Sequence, residues 1–65
     1  MMGAIERAEF RFEPEYSVIQ QNGAIHVYKN GEFVEEVKFS FSGESPNLEE
    51  LEKIVNEYCE DHDID

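Results

Sequence analysis

The chain has 65 residues, 40% of them apolar and 32% charged, and its 16 acids against 5 bases leave a formal net charge of −11. That length makes one domain over residues 1–65, and it buries only about 60% of the surface its unfolded form exposes. The charge excludes a polyanion as direct partner, whether nucleic acid or anionic membrane. One cysteine, Cys59, forbids an internal disulfide, and without a secretory leader or a long apolar run the expected setting is the cytoplasm.

Residues Ala8 to Phe12 alternate apolar Ala8, Phe10 and Phe12 with charged Arg7, Glu9, Arg11 and Glu13, the period-two mark of a strand with one buried face. Pro14 is expected to end it, because proline cannot donate to a ladder. Tyr16 to Gln21 resumes as a second strand. Asn22-Gly23 then reads as a tight turn, since both residues tolerate positive φ. Ala24 to Lys29 runs back, Asn30-Gly31 turns again, and Glu32 to Ser42 forms the fourth strand. Residues 1–6 carry no assignment.

A slip of one residue turns a strand inside out, so the turn lengths can be tested against the apolar pattern. A two-residue first turn sets Val18 against Val27 and Gln20 against Ile25. A second two-residue turn would leave Phe33 and Val37 on the face away from Ile25 and Val27. A longer second loop with Gly31 in a bulge pairs Val27 with Phe33 instead. It gathers Tyr16, Val18, Ile25, Val27, Phe33, Val37, Phe39 and Phe41 on one face, and this is the expected register.

Gly43 to Asn47 is a loop and helix entry, with Ser45 or Asn47 as the capping residue. Leu48, Leu51, Ile54, Val55, Tyr58 and Cys59 then recur at helical spacing, with Glu49, Glu50, Glu52, Lys53, Asn56, Glu57 and Glu60 on the other side. Glu60, Asp61 and Asp63 oppose the helix dipole, so the last residues are expected to fray. The fold class is α+β, a four-stranded antiparallel meander with one C-terminal helix packed on one face, ββββα.

Chemistry-bearing clusters are sparse. Cys59 to Asp63, CEDHD, is the densest run of metal-ligand types, but a structural zinc site takes about four ligands and only His26 would add another. No cofactor is expected. Glu35 and Glu36 are neighbours on a strand and point to opposite faces, and no serine or cysteine stands in a nucleophile motif. The chain therefore reads as non-catalytic, working through contacts with other proteins.

Two surfaces stand out for that role. The sheet face away from the helix is expected to present Ile19, His26, Tyr28 and Val34, suited to pairing with a second copy in a homodimer. The exposed helix face, with Glu49, Glu52, Glu57 and Glu60, would suit a basic protein partner. The alternative is a small-molecule or metal binder using His26 with Tyr28, or Cys59 with His62.

The runs Gly3 to Ala8 (GAIERA), Pro14 to Gly23 (PEYSVIQQNG), HVYKNGEFVEEV and NEYCE resemble a family of short acidic uncharacterised proteins from Bacillus-type bacteria, a domain of unknown function. The resemblance spans nearly the whole chain and implies a small cytosolic bacterial protein. It brings no catalytic residue with it.

Overall fold

The computed structural model describes residues 4–64. Chain order is β1 (Ile5–Arg7), β2 (Phe10–Ser17), β3 (Asn22–Lys29), β4 (Glu32–Ser40) and α1 (Leu48–Asp61). The strands lie side by side as β1-β2-β3-β4, each antiparallel to the next, and α1 crosses one face. This is the ββββα meander expected from the sequence, but its first two strands and the turn at Asn22-Gly23 sit elsewhere.

The expected strand from Ala8 to Phe12 is broken by a turn. Arg7 pairs with Phe10, and between them Ala8 takes a left-handed φ of 55°. A non-glycine residue rarely does so, which is why nothing in the composition marked a reversal there. Pro14 does not end a strand. It lies inside β2 opposite Ile25, and among the described residues β1 pairs with β2 only as far as Phe12. Among the described residues no strand faces Pro14 on that side, so its missing N–H leaves no gap in the described ladder.

The stretch Tyr16 to Gln21 is not a strand. β2 ends at Ser17, which pairs with Asn22, and the chain reverses over Val18 to Gln21. Asn22 and Gly23 belong to β3 and make no turn. The left-handed residue is Gln21, with φ of 56°. Its side-chain amide donates to the Val18 carbonyl at 2.7 Å and to the Gly43 carbonyl at 2.9 Å, and its Oε1 accepts the Gly43 N–H at 2.9 Å. These bonds offset the backbone strain and tie the loop to the link before the helix. Gly23 serves packing instead, because a Cβ there would strike the Glu15 carbonyl and come within 2.6 Å of the Phe39 ring.

Asn30-Gly31 is a tight two-residue turn, with φ of 52° and 85° and Lys29 paired to Glu32. The extra residue falls further along, at Val34. Val27 pairs with Glu35 while Tyr28 pairs with Phe33, so Val34 bulges from β4. The bulge restores Val37 and Phe39 to the helix side, as expected, but turns Phe33 outward beside Tyr28. The expected pairing of Val27 with Phe33 is thereby replaced. Val18 lies exposed in the loop, whereas Tyr16 keeps the expected face, 39% exposed at its rim and edge-on against Phe41 at 5.5 Å.

Phe12, Ile25, Val27, Leu51, Val55, Tyr58 and Cys59 form the core, bordered by Ile5, Phe10, Val37, Phe39, Ile54 and Ile64. Fully burying each aliphatic or phenyl side chain stabilises the fold by about 1.5–3 kcal/mol, so this small set holds the helix to the sheet. Of the expected helical stripe only Leu48, in the first turn, is exposed.

Asn47 caps α1, its Oδ1 accepting the Glu49 N–H at 2.8 Å. The far end does not fray within the described residues. Asp63 adopts φ of 54°, its N–H donates to the Glu60 carbonyl at 3.4 Å, and the Ile64 N–H donates to the Cys59 carbonyl at 2.8 Å. This is a Schellman ending, secured by Ile64 against the core despite the unfavourable charges at the helix terminus.

Candidate functional site

Alternation in β2 and β3, and in β4 on either side of its bulge, divides the chain's polar chemistry between two faces. On the outer face, His26 sits in the central strand between its cross-strand partners Glu13 and Glu36. Its Nε2 lies 2.9 Å from Glu36 Oε2 and 3.7 Å from Glu15 Oε2. The imidazole is only 24% exposed, so carboxylates meet it on both flanks of a partly covered position.

Phe33 completes this surface. Its ring meets His26 edge-on at 6.1 Å and Tyr28 edge-on at 5.8 Å, and the residue remains 60% exposed. Arg11 lies opposite Tyr28 and pairs with Glu13 at 3.0 Å. The result is an aromatic patch rimmed by Glu13, Glu15 and Glu36. Beside it, a shallow open depression of about 440 Å³ lies where Gly23 and Ala24 carry little or no side chain, between Glu15 and Lys38.

His26 and Tyr28 thus share the outer face, as expected. Ile19 does not: it stands in the β2–β3 loop, 96% exposed and off the sheet. Val34 is exposed at the bulge, beside Phe33. Glu49, Glu52, Glu57 and Glu60 are all exposed on α1, as the helical spacing requires. Sequence reasoning missed Phe33 on this face because it placed the bulge at Gly31.

A second cluster joins helix and sheet. Glu35, turned inward by the bulge, accepts a hydrogen bond of 2.6 Å from the Tyr58 hydroxyl. His62 stacks on the Tyr58 ring at 4.1 Å and its Nε2 lies 4.0 Å from the same carboxylate. Burial first, then the hydrogen bond and the charge of Glu35, push the Tyr58 hydroxyl from 10.0 up to about 12. A phenol so held keeps its proton and acts as a donor that fastens β4 to α1.

Cys59 is buried in the core while His62 faces Glu35, so the CEDHD run is divided between interior and surface. Among the described residues, no three His, Cys, Asp or Glu side chains converge as a ligand set for a metal ion. No helix among the described residues is long and apolar enough to cross a membrane.

A four-stranded meander under one amphipathic helix, carrying an acid-rimmed aromatic patch on its open face, defines a small α+β protein with its distinctive surface on the sheet. The chain belongs to DUF5370, a family of unknown function, which matches residues 2–64. It is similar to the uncharacterized protein YbxH of Bacillus subtilis (strain 168), with 59% identity over 63 residues, covering 97% of this chain and 100% of that protein. No solved structure matches it.

Proposed function

We propose that this is a non-catalytic cytoplasmic protein that binds a basic protein segment on the outer face of its sheet. The observation that carries the reading is the orientation of Phe33. Its bulged strand exposes a phenylalanine in contact with His26 and Tyr28, on a face where Glu13, Glu15 and Glu36 stand within reach. Bulges re-aim side chains, and a contiguous exposed aromatic patch suits a partner. A Lys or Arg side chain would lay its alkyl stem on the rings and its charge against the carboxylates. The net charge of −11 draws such a segment in.

The test is affinity recovery from cell lysate with wild-type protein, a Phe33→Ala variant and a variant in which Glu49, Glu52, Glu57 and Glu60 become Gln. A basic protein held by the wild type should be lost in Phe33→Ala. It should also be released as salt approaches about 0.5 M, where the Debye length is only a few ångströms. Retention by Phe33→Ala with loss in the helix variant would move the contact to α1 and overturn the reading.

A further inference from the structure

β4 is an edge strand. It pairs with β3 on one side, and among the described residues no strand lies on its other side. An open edge presents backbone donors and acceptors to another strand. The bulge at Val34 bars regular pairing at one end and the strand stops after Ser40 at the other, leaving the regular run Glu35 to Ser40, within which the five residues Glu35 to Phe39 are centred on Val37.

We infer that this run is a self-pairing edge, at which β4 of a second copy docks antiparallel about a two-fold axis through Val37. The charge pattern carries the inference. Centring on Val37 sets Glu36 of each copy opposite Lys38 of its partner, twice, on the outer face. Val37 then meets Val37 on the helix face. Moving the axis by one residue sets Glu36 against its own copy, or Lys38 against its own copy, and like charges directly opposite repel. Of these three centres only Val37 is self-complementary.

Glu36 and Lys38 are both exposed and Val37 is half-buried, so the pairing covers apolar surface while joining charges at its rim. The two sheets become one of eight strands with both helices on the same side. The pairing shares Glu36 with the outer-face patch but uses the backbone edge of β4 and not the rings of Phe33 and Tyr28, so the inference does not depend on the basic-partner reading.

Strand pairing over so short a run buries little area and produces a weak dimer. Sedimentation of the wild type from about 10 µM to about 1 mM spans the range such an interface requires. The molecule should shift from monomer to dimer across that range. Association should strengthen as salt rises from about 0.01 to about 0.15 M, because screening relieves the repulsion between two acidic chains. A basic partner would respond in the opposite sense.

Glu36→Lys alone and Lys38→Glu alone should each stay monomeric, whereas an equal mixture of the two should form heterodimers, since both outer-face pairs between positions 36 and 38 then join opposite charges. Glu36→Lys gives up the His26 contact, so circular dichroism must first show that it folds. Independently of any variant, amide exchange at Glu35 to Phe39 of the wild type should slow as concentration rises. A wild type that remains monomeric throughout, single variants that dimerise as it does, or exchange at β4 indifferent to concentration would each overturn the inference.

Discussion

Replacing Tyr58 with Phe removes one hydroxyl and leaves the ring in place against Phe12 at 5.5 Å and His62 at 4.1 Å. What is lost is the 2.6 Å hydrogen bond to Glu35. The hydroxyl's rise from 10.0 to about 12 corresponds to an upper bound near 3 kcal/mol at roughly 1.4 kcal/mol per unit. Glu35 is 44% exposed and recovers water when its partner goes, so about 1–2 kcal/mol is the expected loss, in keeping with a hydrogen bond to a charged acceptor. At pH 7 the melting temperature should fall by about 4–8 °C for each kcal/mol in a domain of this size.

The pH dependence gives the sharper check. The folded state favours the protonated phenol, so its contribution is complete below pH 10.0 and is lost as pH rises through about 12. Tyr16 and Tyr28 are common to both proteins, so the difference between them isolates Tyr58. Urea unfolding of both from pH 7 to pH 12 should show a constant gap that closes over the last two units. No gap at pH 7, or one that persists unchanged at pH 12, would refute the role given to the Tyr58–Glu35 bond.

Gly23→Ala should cost about 1–3 kcal/mol in urea unfolding, because the added methyl meets the Glu15 carbonyl and the Phe39 ring and overpacks the sheet. Asp63→Gly should instead raise stability by about 0.5–1 kcal/mol, since glycine accepts φ of 54° without strain and an acid leaves the negative end of α1. Asn47→Ala should lower the melting temperature, with a loss of about 1 kcal/mol, by removing the bond to the Glu49 N–H.

The helix was legible in its extent and its buried face, because its apolar spacing and its polar side give the same signal, while the cap stayed open between Ser45 and Asn47 until the structure showed the Asn47 bond to the Glu49 N–H. The sheet was legible in number and direction of strands but not in their limits. Ala8 and Gln21 take left-handed backbone angles without being Gly or Asn, and the bonds that hold Gln21 come from Val18 and Gly43, the latter 22 residues away. Asn22-Gly23 misled for the converse reason: the glycine answers to the ring of Phe39 above it, a tertiary demand.

Testing turn lengths against the apolar pattern correctly exposed one surplus residue in the second hairpin. It placed that residue at Gly31 where the structure has it at Val34, an error the apolar pattern does not expose, because either placement returns Val37 and Phe39 to the helix side. The choice decided the candidate surface, sending Phe33 outward and Glu35 inward to Tyr58. The division of Glu35 and Glu36 between two faces followed from strand geometry alone.

The surplus residue also sets how this chain tolerates length changes. Val34 has no partner of its own in β3, so a single-residue deletion there leaves Phe33 against Tyr28, Glu35 against Val27 and every later pair as they are. Deleting any residue from Glu35 to Lys38 would instead shift the frame of one end of the strand against the other and drive Glu or Lys toward the core. In a deletion scan of β4, position 34 should therefore be the permissive gap.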